Sequence, residues 1–231
     1  MKPLIIANWK MNPPNSKEAF DLAAAVMKGV QGLEVDVVLC PPFVYIPQLL
    51  ASSNVFIGAQ DAFWEQEGAY TGEVSPFMLR NLGCSYVILG HSERKKYAGE
   101  TPEITVQKTQ AALLAGLIPV VCIGEHMEEE MGPILKGIPP EDVSRIVFVY
   151  EPEWAISTQP DAKPATPQEA GAALQNMRAL LPNITTLLYG GSVNSKDIQG
   201  FMEAGAQGAL VGAASLDAQE FIRLVKNSIL R

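Results

Sequence analysis

Eight short apolar runs, nearly continuous in Val, Ile and Leu, recur along this chain with helix-length intervals between them. They are Leu4–Trp9, Val35–Cys40, Val55–Gln60, Tyr86–Gly90, Ile118–Ile123, Ile146–Tyr150, Thr185–Tyr189 and Ala209–Val211. Runs without apolar–polar alternation are the mark of parallel strands buried on both faces. Their starts lie 20 to 39 residues apart, enough for a crossover helix between each pair. Helical patterns fill the intervals at Ser16–Lys28, Thr101–Leu114, Thr166–Leu180 and Ser215–Leu230, and Ser16, Thr101 and Thr166 stand as cap residues with Pro or acid following. The pattern predicts an α/β fold, either an open doubly wound sheet or a closed barrel. Two features favour the barrel. No GxGxxG follows the first run, and polar residues cluster after the strand ends all along the chain: Asn8 and Lys10, Gln60, His91, Glu125, Glu151, Gly190–Ser192 and Gly212. A (β/α)8 barrel builds its site there, whereas an open sheet concentrates it at one switch point. With no linker or low-complexity stretch, residues 1–231 read as a single domain.

Composition narrows the function. Hydrophobic residues make up 48% of the chain and charged ones 18%, a balance for a packed core rather than disorder. The formal charge of −8, with no basic cluster, argues against nucleic acid and anionic membranes as partners. Cys40, Cys84 and Cys122 are too scattered for a disulfide framework. No apolar stretch is long enough to span a bilayer, and the N-terminal run is too short for a signal peptide. A reducing, cytoplasmic setting is the simplest expectation.

Three residues stand out chemically. Glu151 ends a strand and precedes Pro152, so burial against Trp154 and Ile156 would raise its pKa toward general-base duty. His91 ends another strand with Ser92 and Glu93 following. A helix N-terminus there disfavours imidazolium and leaves a neutral ring able to donate to a carbonyl oxygen. Lys10 ends the first strand, where an ammonium attracts an anion and stabilises a developing oxyanion. The turns Gly190-Gly191-Ser192-Val193 and Gly212-Ala213-Ala214-Ser215 close the last two strands, where barrels commonly bind phosphate on backbone N–H groups. Pro152–Pro167, the longest loop, reads as a lid over Glu151. His126, in an acidic run, is assigned no role.

These residues fall in motifs similar to those of the triosephosphate isomerases. ANWKMN at 7–12, GAQDAFWEQEGAYTGEVSP at 58–76, VILGHSER at 87–94, CIGE at 122–125, YEPEWAIST at 150–158, YGGSV at 189–193 and ALVGAASL at 209–216 occur in family order over essentially the whole chain. The resemblance implies a TIM barrel that interconverts dihydroxyacetone phosphate and D-glyceraldehyde 3-phosphate, with no cofactor or metal. It implies Glu151 as the proton-transfer base, His91 as the electrophile, Lys10 as the cation at the developing charge and Asn8 as a hydrogen-bond donor to the oxyanion. Phosphate would rest on N–H groups of Ser157, Ser192, Gly212 and Ala213. Ser92 and Glu93 would support the site from behind, and Cys122 would neighbour Glu151 inside the barrel. Thr71, at the tip of the loop Gln60–Ser75, would reach a second subunit's site in a two-fold homodimer, with Phe63, Trp64 and Tyr70 buried against the partner.

The departures from the family pattern carry their own expectations. Glu153 adds a carboxylate beside Glu151, which would raise the base's pKa if unscreened. The lid, Ser157 to Pro164, is longer than usual and has lost its glycines. Ala213 stands where Gly is usual and resists positive φ, and Lys95 stands where an Arg is common. The chain is short between Glu125 and Ile146, where Ile138-Pro139-Pro140 leaves two turns of a shortened fifth helix at Glu128–Lys136. Glu65, Glu67 and the Glu128–Glu130 run are candidates for a response to ions or pH. The rival readings are a barrel isomerising another small sugar phosphate, a low-turnover phosphate-ligand-binding barrel with a regulatory role, and a purely structural barrel.

Overall fold

The computed structural model describes residues 2–155 and 163–229. Eight parallel strands close into a barrel in sequence order: β1 (Leu4–Asn8), β2 (Asp36–Cys40), β3 (Phe56–Ala59), β4 (Tyr86–Leu89), β5 (Ile118–Ile123), β6 (Val147–Tyr150), β7 (Thr186–Tyr189) and β8 (Gly208–Val211). The helices among the described residues are α1 (Ser16–Val30), α2 (Ile46–Leu50), α3 (Pro76–Leu82), α4 (Ser92–Ala98), α5 (Pro102–Ala115), α6 (Met127–Gly137), α7 (Pro140–Val143), α8 (Pro167–Leu180), α9 (Ile198–Glu203) and α10 (Ala218–Asn227). All eight apolar runs therefore became strands: six are trimmed by a residue or two, β5 is unchanged and β8 gains Gly208.

The continuous apolar runs are explained by two separate cores. Leu4, Ile6, Val38, Cys40, Ile88, Val120, Cys122, Val149, Leu188 and Leu210 fill the barrel interior, with Tyr86 among them. The alternate residues, such as Ile5, Leu39, Val87, Val121, Phe148, Leu187 and Ala209, face outward and pack under the helices. Both faces of each strand are thus desolvated, at roughly 1.5–3 kcal/mol for each large side chain buried. The seam between β8 and β1 depends on Gly208, at φ +152°, where a Cβ would meet the Leu4 carbonyl oxygen at 1.8 Å.

Local chemistry sets the helix starts. Thr101 and Thr166 cap α5 and α8, and Thr166 forms a reciprocal capping box with Glu169. The cap of α1 is Asn15 rather than Ser16: its side chain accepts from the Glu18 N–H at 3.0 Å. The stretch expected as one helix at Ser215–Leu230 is broken, because Asp217 is extended and caps a new helix at Ala218 through the Glu220 N–H. The helix after β5 runs Met127–Gly137, longer than two turns, with Pro133 inside it. Pro139 and Pro140 then end it, leaving only the single turn of α7 before β6. This layer is thin, and an open groove between α6 and α8 reaches inward to the barrel residue Tyr150.

Candidate active site

The C-terminal ends of the strands carry a pocket of about 200 Å³, room for a small metabolite and too little for a dinucleotide. Asn8, Lys10, His91, Glu151, Ser192, Gly212 and Ala213 all line it. Residues from β1, β4, β6, β7 and β8 are brought together by barrel closure alone.

His91 is the N-cap of α4, and its Nδ1 accepts the Glu93 N–H at 3.1 Å. An accepting Nδ1 carries no proton, which places the ring's N–H on Nε2. That nitrogen lies 2.8 Å from Glu151 Oε1, while the Ser92 N–H donates to Oε2 at 3.0 Å. Glu151 is thus parked on the start of α4. Burial pushes its pKa up, as expected, but the His91 contact, the Ser92 N–H and the Lys95 charge outweigh burial and hold it below the ordinary carboxylate range. The expected net rise is therefore overturned for this state. Glu153 is exposed and is not among the groups acting on Glu151. Cys122 lies beneath Glu151 in the barrel interior, its thiol pushed well up by burial and by the Glu151 charge.

Lys10 sits at φ +52°, a left-handed conformation that costs a non-glycine residue about 1 kcal/mol or more. Several contacts hold it there. Its N–H donates to Asn8 Oδ1 at 3.0 Å, and its ammonium pairs with Glu93 at 2.6 Å. Gln60 donates from one amide nitrogen to the carbonyls of Lys10 and Cys40, at 2.9 and 2.8 Å. In the sequence Gln60 stands out only as a polar strand-end residue. Its role depends on two carbonyls distant in the chain, so spacing could not reveal it.

The turns after β7 and β8 line one end of the pocket. The N–H groups of Gly212 and Ala213 have no protein acceptor among the described residues. Ala213 does not adopt positive φ, so the strain expected of it is absent. Gly212 lies against Lys10, whose Cε would be in ordinary contact, at 3.4 Å, with a Cβ there. The Ser192 N–H is engaged, donating to the Ala155 carbonyl at 2.8 Å. Ser157 lies outside the described residues. The segments flanking 156–162 run together, with the Lys163 N–H donating to the Trp154 carbonyl at 3.1 Å.

Elsewhere, Thr71, Glu65 and Glu67 are exposed, and the Phe63 ring packs at a tilt against Trp64 and Tyr70, with centroids 3.9 and 4.8 Å away, within their own loop. The exposed large apolar residues Met11, Val44, Tyr70, Met78 and Tyr97 follow strands β1 to β4, one side of the barrel mouth. No helix among the described residues is long and apolar enough to cross a membrane. No group of three or more His, Cys, Asp or Glu among them could hold a metal ion.

Comparison with known proteins agrees with this geometry. Residues 3–228 match the family model described as triosephosphate isomerase. The chain is 39% identical to the triosephosphate isomerase of Caldanaerobacter subterraneus subsp. tengcongensis, covering 97% of this chain and 98% of that protein. It is 40% identical to that of Alkaliphilus oremlandii, with the same coverage. It is 40% identical to that of Dehalococcoides mccartyi, covering 99% and 97%. A closed (β/α)8 barrel with Lys, His and Glu at its mouth, matched end to end by such relatives, belongs to the triosephosphate isomerase family of enzymes.

Proposed function

We propose that this barrel, a single domain working as a homodimer in the cytoplasm, interconverts dihydroxyacetone phosphate and D-glyceraldehyde 3-phosphate at the pocket after β1, β4, β6, β7 and β8. The observation that carries this reading is the convergence of Asn8, Lys10, His91 and Glu151 in one small pocket, beside two N–H groups with no acceptor among the described residues. The phosphate rests on the Gly212 and Ala213 N–H groups, joined by that of Ser192 once it leaves the Ala155 carbonyl, and by Ser157 from the lid. This exchange links phosphate binding to movement at the lid's first hinge. Enclosure then matters, because a wet enediolate phosphate would eliminate its phosphate.

The substrate's carbonyl oxygen takes the place of Glu151 on His91 Nε2, with the Asn8 amide and the Lys10 ammonium as further donors. Displaced from His91 and Ser92, Glu151 loses the contacts that depress its pKa while staying buried, so its basicity rises as substrate arrives. It removes a proton from the carbon beside the carbonyl and returns it to the adjacent carbon. His91 moves the proton between the two oxygens of the enediol. Donors aimed at the oxyanion contribute about 3–4 kcal/mol each in comparable sites. Glu93 supports this by holding both the Lys10 ammonium and the His91 ring.

The homodimer reading rests on the exposed aromatic loop carrying Thr71 and on the apolar residues beside it. The test is a coupled assay of glyceraldehyde 3-phosphate turnover across a protein dilution series. High, constant specific activity supports an active isomerase, and a fall on dilution supports dependence on Thr71-mediated assembly. No turnover with phosphate-ligand binding retained would replace this reading with the regulatory binding barrel.

A further inference from the structure

Glu130 lies within an acidic run, Glu128–Glu130, yet it alone of the three turns inward. Its Oε2 receives the Gly124 N–H at 2.9 Å and the Lys95 ammonium at 2.5 Å. Its other oxygen is seated so closely that a Cβ on Gly124 would meet it at 2.8 Å. Gly124 directly follows β5, the strand that places Cys122 beneath Glu151. Lys95 stands one turn into α4, its own N–H donating to the His91 carbonyl at 3.1 Å. The pair therefore joins α6, the end of β5 and the helix on which Glu151 is parked. Both side chains are largely shielded, at 20% and 14% exposure, so their charges are only partly screened.

We propose that Lys95 and Glu130 are a positioning pair for the base. Glu130 clamps Lys95 to the backbone after β5, and Lys95 so held aims its charge at Glu151 and secures the start of α4 under His91 and Ser92. Neither residue reaches the pocket. This rests on Glu151 being the base and adds what tunes it. The groups that face Glu151 are His91, the Ser92 N–H and Lys95 from α4, Cys122 from β5, and Lys10 with its partner Glu93 across the pocket. Lys95 is the only one of these charges whose partner lies behind the pocket, so its field on Glu151 changes without altering any substrate contact.

The experiment is a ¹³C NMR titration of the Glu151 carboxyl in substrate-free protein, with its resonance assigned by loss in Glu151→Gln, alongside the pH profile of kcat/KM. Glu130→Gln keeps an amide oxygen to accept from the Gly124 N–H and the Lys95 ammonium, so the clamp stays while the counter-charge is lost, and the Glu151 midpoint falls by about half a pH unit. Lys95→Met raises it by about as much, and the acid limb of kcat/KM moves in the same directions relative to wild type. Lys95→Arg keeps the charge and restores the wild-type midpoint. Midpoints that stay put in both charge-altering variants, or move the same way, would overturn the proposal, even if turnover fell. Should Lys95→Met fail to fold, the Glu130→Gln titration decides alone. Because the midpoint is read without substrate, it is independent of whether Glu151→Gln abolishes turnover, which tests the base assignment itself.

Discussion

Helix α4 borders two ionic clusters of opposite character. On one side His91, Ser92 and Glu93 meet Glu151 and Lys10 at the pocket. On the other, Arg94 joins Asp61, Glu100 and Lys108: Lys108 contacts Asp61 at 2.7 Å and Glu100 at 2.5 Å, and Arg94 contacts both at 2.8 Å. The second cluster pairs two cations with two carboxylates, with Lys108 only 3% exposed and Arg94 at the surface. The first opens into a cavity lined by Lys10, His91 and Glu151. Similar charges a few residues apart are thus paired among themselves in one cluster and border an open pocket in the other.

The sharpest way to break this contrast is Glu151→Gln. It should lower kcat about 10³-fold in the coupled assay with little change in urea stability, and full activity would remove Glu151 from the mechanism. Lys108→Met should do the converse. Leaving Asp61 and Glu100 short of a buried partner should cost about 3–5 kcal/mol in urea unfolding, while the folded fraction keeps most of its kcat. A stable Lys108→Met protein would mean that the second cluster is not structural. Gln60→Ala, between the clusters, should release the left-handed Lys10 backbone and raise KM about tenfold, the equivalent of one lost charge-assisted contact. Its readout is the split of KM against kcat.

The smallest effect is in pH dependence, where the clusters have opposite signs. The pKa of Glu151 is depressed in the fold, so its stabilisation is present above the unfolded carboxylate value, near 4.3, and fades as pH falls through the folded one. For Asp61 the pKa is raised, chiefly by burial. Its contribution is largest at low pH, below the unfolded value, and is lost as pH rises through the folded one. Stability measured by urea between pH 3 and 6 should therefore fall less steeply with acid in Glu151→Gln and more steeply in Asp61→Asn. Parallel curves would erase the distinction.

Much of the fold was legible because its signals are local. The barrel strands followed from runs without alternation, since each residue faces either the interior or a helix. Thr101 and Thr166 marked helix starts because a cap bonds only three residues ahead. The misreadings have equally local causes: Asn15 captured the cap one residue before Ser16, and Asp217 took an extended conformation that split a pattern periodic across it. Within the pocket, Asn8, Lys10, His91 and Glu151 were readable as polar residues directly after strands.

What the sequence determined by itself was therefore the strand–helix alternation, the closed barrel and the identity of the groups at its mouth. Only the tertiary structure decided their states. Glu151 is held below its ordinary pKa, against the rise expected from burial alone, because α4 brings His91 and Ser92 to it from another strand. The Ser192 N–H is already spent on Ala155, and Gln60 and Glu130 acquire partners remote in sequence. Burial is encoded by residue type and period, whereas an electrostatic environment is a sum over distances that exist only once the barrel has closed.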